Sequence, residues 1–399
     1  MNKVEYGWIV IYFEKSNDYQ TKTRLPQGSE YIFQLMLATF LITTAILAIL
    51  TILPLSRHEA WWIRGLDFPR LQLFLALLST LVLELLLLDL SSWQAWGLVV
   101  VALACLVYQA WWIVPYTRIF PLEVNAANNS DSQGRIKIIT ANVLMTNRNA
   151  QGLITLIREC QPDILVTLES DIWWQTQLDI LETDYPYTIK CPLDNLYGMH
   201  VYSRFPMMNT QIEYLVEPDK PSMHALVLLP SGHRIRIHFL HPAPPSPTEN
   251  SESSERDAEL VIIAKSVADT NVPVIVTGDL NDVAWSATTR LFRKISGLLD
   301  PRVGRGMFNT FHANYWFLRW PLDHLFHSKH FSLQNLKRLR SFGSDHYALF
   351  TELVLTADRN NEDNGLDADA DDLAWAKRKT ENQNVNKSDV PQPEKHSVI

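Results

Sequence analysis

A layered α/β domain standing behind three membrane-spanning helices is the architecture this sequence predicts. Three observations carry it. Three apolar runs crowd residues 31–116, short strand and helix patterns alternate from Arg135 to about Thr356, and the composition turns from Leu-rich to ordinary between the two. Averages over the chain (47% hydrophobic, 20% charged, net charge −8) conceal that split.

The apolar runs cover roughly 31–55, 71–90 and 93–116. Each reaches the ~20 residues an α-helix needs to cross ~30 Å of hydrocarbon. Lipid offers the backbone no partners, so such runs must be helices. Trp61, Trp62, Trp93, Trp96, Trp111 and Trp112 stand near run ends, as an aromatic belt places them. A buried core of a soluble domain fits poorly with three such runs on short linkers. Residues 1–30 form a polar segment carrying Lys3, Glu5, Glu14, Lys15, Asp18, Lys22, Arg24 and Glu30, which is unlike a cleaved signal peptide. Glu84 reads as a snorkelling or interfacial carboxylate near the end of its run, and Asp89 as interfacial. Arg57, Arg64, Arg70 and Arg118 share one side of the bilayer, against Lys22 and Arg24 on the other. That margin points to a cytoplasmic domain but leaves the side open.

Residues 117–134 read as a linker. Beyond them, "IKIIT" (136–140), "DILVTLE" (163–169), "GMHVYSRFP" (198–206), "HALVLLP" (224–230), "RIRIHFLH" (234–241), "VPVIVTGDLN" (272–281) and "YALFTELVL" (347–355) read as strands. Residues 150–160 and 255–269 carry helical patterns. A mixture of about 220 residues is large enough for a sizeable core in a layered α/β domain. The Pro- and Ser-rich stretch 242–256 is a loop beside the end of a strand. Residues 357–399 are polar and acidic, and read as a disordered tail. Their "DADADD" run lacks the Gly and terminal Glu of a calcium loop. Cys105, Cys160 and Cys191 show no zinc spacing and read as small apolar residues, with a Cys160–Cys191 pair left open.

Polar residues then collect where strands meet loops, the edge at which open α/β sheets gather ligands. Asn142 follows the first strand, Glu169 the second, and His241 a later one. Asp279 and Asn281 end "VIVTGDLN". Asp323 lies in "PLDHLFHS", with Asp345 and His346 in "GSDHYALF". Glu169 and Asp345 are hard oxygen donors suited to Mg²⁺ or Mn²⁺, and Asn142 either adds an amide oxygen or holds a ligand in place. Asp279 can take a proton from water. Asn281 can donate to a phosphate oxygen. His346, backed by Asp323, and His241 as a second cationic donor can stabilise developing negative charge. Taken singly, each of these residues is as well explained by capping or surface roles.

The ordered set "IITANVLMTN", "PDILVTLES", "YSRFP", "HFLHPAPP", "VIVTGDLND", "PLDHLFHS" and "GSDHYALF" resembles the endonuclease/exonuclease/phosphatase superfamily, over about residues 135–356. The resemblance implies a four-layer α/β sandwich of two packed sheets. It implies cleavage of phosphoester bonds, in substrates that range across the superfamily from nucleic acids to inositol phosphates and sphingomyelin. It makes Glu169 the main metal ligand with Asn142 and Asp345 nearby, Asp279 the residue that orients water, and Asn281 the phosphate contact. It assigns His346 with Asp323, and His241, to the transition state. The three preceding helices look like a bacterial membrane-bound branch, at home in an inner membrane. One departure stands out: Val143–Thr146 offer no acid or Gln for a second metal. Arg204 in "YSRFP" is a minority candidate for substrate contact, against a structural role.

Residues 131–356 hold 21 Lys/Arg and 24 Asp/Glu, which argues against a strong non-specific grip on nucleic acid. Residues 290–340 nonetheless hold ten basic residues and two acids, with Trp316, Phe317 and Trp320 among them. Three functions stay open: a membrane-tethered phosphodiesterase or nuclease, a phosphatase or lipid-headgroup phosphodiesterase, and a silent module binding a phospho-ligand or protein. The partners expected are a lipid bilayer and a phosphoester.

Overall fold

The structure, a computed structural model, describes residues 27–127, 133–268, 270–356, 361 and 364–396. Most of the expected polar segment 1–30 lies outside them. Helix α1 (Gln27–Ile52), the short α2 (Trp61–Arg64), α3 (Arg70–Leu87) and α4 (Trp93–Ile113) come first. Three of these helices are long and apolar enough to cross a membrane. Their outer faces expose Ile46, Ile49, Leu86, Val100 and Val107. Inside the bundle, Glu84 is fully buried and accepts a hydrogen bond from Thr44 Oγ1 at 2.6 Å. Glu84 is therefore an interhelical contact and does not snorkel as its place in the run suggested: it faces α1, where a hydroxyl meets it.

Strands β1 (Arg135–Asn142), β2 (Ile164–Leu168), β3 (Tyr187–Cys191) and β4 (Met199–Ser203) follow, with helices α5 (Ala150–Cys160) and α6 (Ile172–Leu178) between them. Next come β5 (Met207–Glu213), β6 (Ser222–Leu228), β7 (Arg234–Leu240), α7 (Ser254–Ala268), β8 (Val274–Asp279) and α8 (Ala287–Ser296). β9 (Asp323–His327), β10 (Phe331–Arg338), β11 (Leu349–Leu355) and α9 (Ala370–Asn382) complete the order. One sheet runs β10-β11-β1-β2-β4-β3, the other β5-β6-β7-β8-β9.

The pleat explains the four layers. Ile136, Ile138 and Val166 point between the sheets and meet Ile235, Ile237, Phe239 and Ile275 of the other sheet. Their chain neighbours Ile139 and Leu165 point outward onto Leu153, Ile157 and Trp174 of α5 and α6. On the far side Val276 and Phe326 face Leu260, Ile263 and Phe292 of α7 and α8. Thr140 Oγ1 and Thr277 Oγ1, 2.7 Å apart, join the central strands across the sandwich. All three cysteines are free.

Two expectations are corrected. The linker is packed: Val124 is fully buried, Ala127 N–H donates to Leu333 O at 2.9 Å, and Leu333 N–H donates to Asn125 O at 3.0 Å, which covers the edge strand β10. The tail is folded from Asp369 to His396. "DADADD" is a helix start, because the Asp369 side chain accepts from the N–H groups of Asp371 and Asp372 in a capping box. Acids in this first turn also suit the positive end of the helix dipole. Trp375 and Ala376 of α9 pack on Val261 and Leu291, while Lys379 Nζ reaches Asp257 at 2.6 Å and Glu59 at 2.7 Å. Low apolar content misled the composition argument: one Trp and one buried ion pair hold this helix.

The loop between the first two long helices is docked as well. Trp61 N–H donates to Ser251 O at 2.9 Å, Ser253 N–H to Glu59 O at 2.8 Å, and Trp285 Nε1–H to Asp67 O at 2.9 Å. Tyr116 O–H, at the end of α4, donates to Ala284 O at 2.6 Å. The long helices and the sandwich are thus tied at several points.

Candidate active site

Strand register brings the polar residues together. β1 and β2 are parallel with Asn142 opposite Leu168, so Asn142 and Glu169 leave the sheet side by side. β11 is antiparallel to β1 with Leu349 opposite Thr140, which places the preceding Asp345 and His346 at the same end. In the second sheet Leu240 pairs with Gly278, and Asp279 with Asp323. That brings His241, Asp279 and Asp323 to the facing edge.

Asn142 Nδ2–H donates to Glu169 Oε1 at 2.7 Å and to Asp279 Oδ2 at 3.2 Å. Its amide oxygen accepts Leu144 N–H at 3.0 Å, so Asn142 clamps the two acids across the sheets. His346 Nδ1–H donates to Asp323 Oδ2 at 2.8 Å, and its Nε2 stands 3.6 Å from Asp279 Oδ2. Asp279 Oδ1 accepts Asn281 N–H at 2.9 Å. One amide hydrogen of Asn281 is already committed to Pro242 O at 3.0 Å, leaving the other for a ligand. Asp345 is half-buried. Its backbone oxygen accepts Ala313 N–H at 2.6 Å, while its side chain acts on Glu169 and His346 through its charge.

Three residues at these strand ends adopt unusual backbone conformations. Glu169 (φ 57°) and Asn281 (φ 50°) are left-handed, and Gly278 has φ 151°. A Cβ on Gly278 would lie 1.9 Å from Leu240 O, so only glycine lets β8 approach β7 here. Non-glycine residues in the left-handed region cost of order 1 kcal/mol or more and cluster where function over-determines them.

The electrostatics separate the groups. Burial pushes the Glu169 carboxyl up to about 7, against the hydrogen bond from Asn142. Burial likewise raises Asp279, opposed by the His346 charge. His346 is the reverse case: the carboxylates of Asp323 and Asp279 outweigh burial and raise it to about 10, so it is a cation at neutral pH. His241 is driven down to about 4 by burial and is neutral, which corrects the expectation of a second cationic donor. Its Nδ1 and Asp323 Oδ1 are buried without protein partners among the described residues.

Arg204 is not part of this site. β4 is antiparallel to β2, with Met199 opposite Leu168 and Ser203 opposite Ile164. Arg204 therefore sits at the opposite end of the sheet from Glu169. Its side chain donates to Gln161 Oε1 and lies over the Tyr185 ring. The structural role is the one realised.

Other contributors gave little or no signal in the sequence. Ser344 Oγ–H donates to Asn142 O at 2.8 Å and accepts His346 N–H at 3.0 Å. Phe311 packs 4.9 Å from the His346 ring, and Tyr197 packs 5.0 Å from His241. Arg256 in α7 donates to Asn281 O at 2.8 Å while paired with Asp257 at 2.8 Å. Only the "GSDH" spacing hinted at Ser344. The others come from distant segments.

Asp279, Asp323 and His346 offer ligand atoms within 4.8 Å of one another. They read better as a charge triad, because metal binding needs a neutral imidazole and these carboxylates hold His346 protonated. Glu169 fits a cation more closely. Its half-buried carboxylate stands near Asp279 and Asp345 with one charged histidine to offset them, and this oxygen-rich set suits Mg²⁺ or Mn²⁺.

Two mixed sheets clad by helices, with acids, amides and histidines converging where both sheets end, define a four-layer sandwich. The chain belongs to the endonuclease/exonuclease/phosphatase family, whose family model matches residues 139–346, more than half of its length. Members of that family are typically hydrolases of phosphoesters. Solved structures resemble the chain at low identity. A humanized D. rerio TDP2 is 17% identical, with a TM-score of 0.45 over 55% of this chain and 99% of that one. An endonuclease/exonuclease/phosphatase protein from Beutenbergia cavernae is 18% identical, with a TM-score of 0.47 over 56% and 72%. The human nocturnin catalytic domain is 18% identical, with a TM-score of 0.47 over 56% and 96%. No curated protein matches the chain.

Proposed function

We propose that this protein is a membrane-anchored, divalent-metal-dependent phosphoesterase. The observation that carries this reading is the contrast between Asp279, a buried acid, and His346, a buried cation, facing one another at 3.6 Å beside Glu169. A binding module has no need of such a pair.

A cation held by Glu169, with Asp345 near it, would withdraw charge from a phosphoryl oxygen. The chain's own groups do the rest. Asn142 keeps Glu169 aimed. Asn281 N–H fixes one oxygen of Asp279, so the other can orient a water and accept its proton. Asp323 holds the His346 ring so that Nε2–H points to the cleft, where it donates to a phosphoryl oxygen as charge builds. His241 adds a neutral N–H, and Asn281 its free amide hydrogen.

The full chain in detergent should hydrolyse bis-p-nitrophenyl phosphate with Mg²⁺ or Mn²⁺ and stop with EDTA. Metal binding itself should depend on pH. With Glu169 at about 7, binding releases about 0.9 proton at pH 6 and about 0.1 at pH 8, so affinity climbs as pH rises through 7. Calorimetry in two buffers of different ionisation enthalpy reads this directly. Equal release at both pH values, or no turnover of any phosphoester, would remove the reading.

One observation favours the lipid-headgroup version. Tyr315, Trp316 and Phe317 are exposed on a loop rooted at Phe311 and Ala313, beside His346 and Asp345. Gln72, in the first turn of α3, donates to Phe317 O at 2.7 Å, which sets the loop at the level where that helix would enter a bilayer. Aromatic residues there suit an interface. Trp316→Ser with Phe317→Ser should lower hydrolysis of phospholipid vesicles about tenfold and spare bis-p-nitrophenyl phosphate, since two aromatics contribute of order 1–2 kcal/mol of interfacial contact. Equal loss on both substrates would count against it.

A further inference from the structure

Arg290, on α8, stands out among the basic residues at the base of the long helices. Its neighbours are all paired: Arg57 with Asp371 at 2.9 Å, Arg70 with Asp67 at 2.5 Å, Arg293 with Glu123, and Lys294 with Asp372. Among the described residues, Arg290 makes no ion pair and no side-chain hydrogen bond. Its one contact of note is the Trp112 ring, 5.8 Å away. It is half-buried, and loss of water pushes its pKa down. Asp372 and Glu123 act on it through their charge without touching it, and a half-buried cation that no carboxylate touches leaves its donors open to an anion.

Beside Arg290 runs a groove of about 380 Å³, walled by Val107, Ala110, Trp111 and Val114 of α4 and by Phe120. Val107 and Trp111 are 61% and 66% exposed, so the groove opens on the face that α4 would turn to lipid. Arg293 and Glu123 also line it, and the two neutralise one another. The groove thus pairs an apolar trough with a positive charge that makes no ion pair of its own, at the end of a membrane helix. Basic pockets at this depth suit anionic headgroups.

We propose that this groove holds one anionic glycerophospholipid, its phosphate on Arg290 and an acyl chain along Val107, Trp111 and Val114. The proposal rests on reading α1, α3 and α4 as spanning a bilayer. It is separate from the catalytic cleft, and concerns how the sandwich is seated on its helices: α8 carries Arg290 on one face and packs on the active-site sheet with Phe292.

The test uses the full chain reconstituted in nanodiscs of equal parts phosphatidylglycerol and phosphatidylcholine, then released for native mass spectrometry of retained lipid. Retained lipid should be enriched in phosphatidylglycerol by about fivefold, the factor expected from one basic side chain at a membrane surface. Arg290→Ala should return the ratio to that of the disc, and Arg290→Lys should keep most of the enrichment. Val107→Trp, on an exposed position that does not threaten the fold, should fill the trough and remove retained lipid of both classes. No enrichment in the wild type, or equal enrichment in Arg290→Ala, overturns the proposal. So does retention unchanged by Val107→Trp. Extraction of the chain from membranes by alkaline carbonate would instead refute the membrane reading on which it stands.

Discussion

Asp279→Asn is expected to reduce kcat by about 10³-fold, the middle of the range for a positioned general base. The substitution keeps the shape and the oxygen that accepts Asn281 N–H at 2.9 Å, so the turn should survive. What it removes is the oxygen that faces His346 Nε2 at 3.6 Å and the proton affinity conferred by burial. KM should change little, because the lost interaction acts on the water. Residual activity should rise about tenfold per pH unit as hydroxide replaces the assisted water, since one proton must then leave before attack. Stopped assays from pH 6 to 9 would show it. Wild-type rates in the variant would mean that Asp279 is not the base.

Lys379→Met is the largest stability change expected. Lys379 is buried between Asp257 and Glu59, and Asp257 is fully buried between Lys379 and Arg256. Removing one partner of a buried pair leaves an uncompensated charge, a loss of about 3 kcal/mol or more. For a domain of this size Tm falls by on the order of 10 °C. Adding Asp257→Asn should recover part of it, because the stranded acid is then neutral. The pH sign follows from Asp257, whose carboxyl is held well below the usual range by Lys379 and then Arg256, against burial. Its contribution is present above the unfolded value near ~3.9 and is lost as pH falls through the folded one. Wild type should therefore lose this stability progressively as pH falls below about 4, while Lys379→Met, which lacks it at every pH, should show a shallower acid limb over the same range. Thermal scans from pH 3 to 7 would show whether the two acid limbs differ. Coincident limbs would place the ion pair outside the fold's energetics.

The strands legible beforehand are those buried on one or both faces. "IKIIT", "DILVTLE" and "VPVIVTG" lie at the centre of their sheets and are dense in β-branched and aliphatic residues. β3, β5 and β10 escaped notice because they stand at sheet edges, where one side needs no apolar partner. β5, "MMNTQIE", is partly exposed along its whole length. β9 hid for another reason: "DHLFH" carries its site residue at its first position and buries histidines, which a hydropathy pattern counts as polar. The basic run 290–340 also changes meaning once folded. Arg293, Lys294, Arg302 and Arg340 find Glu123, Asp372, Asp300 and Glu159, most of them far away in the chain. A local charge excess became a set of ion pairs.

Chain order and residue type alone determined the three long helices, the layered α/β domain and the acids, amides and histidines at strand ends. These depend on local hydropathy and on where a strand stops, and both are written residue by residue. Only the tertiary structure decided that Arg204 belongs to the far end of the sheet, that His241 is neutral while His346 is charged, and that the acidic tail is a helix locked by Lys379. Register, burial and the partners of a charge depend on segments hundreds of residues apart, so no window of sequence contains them.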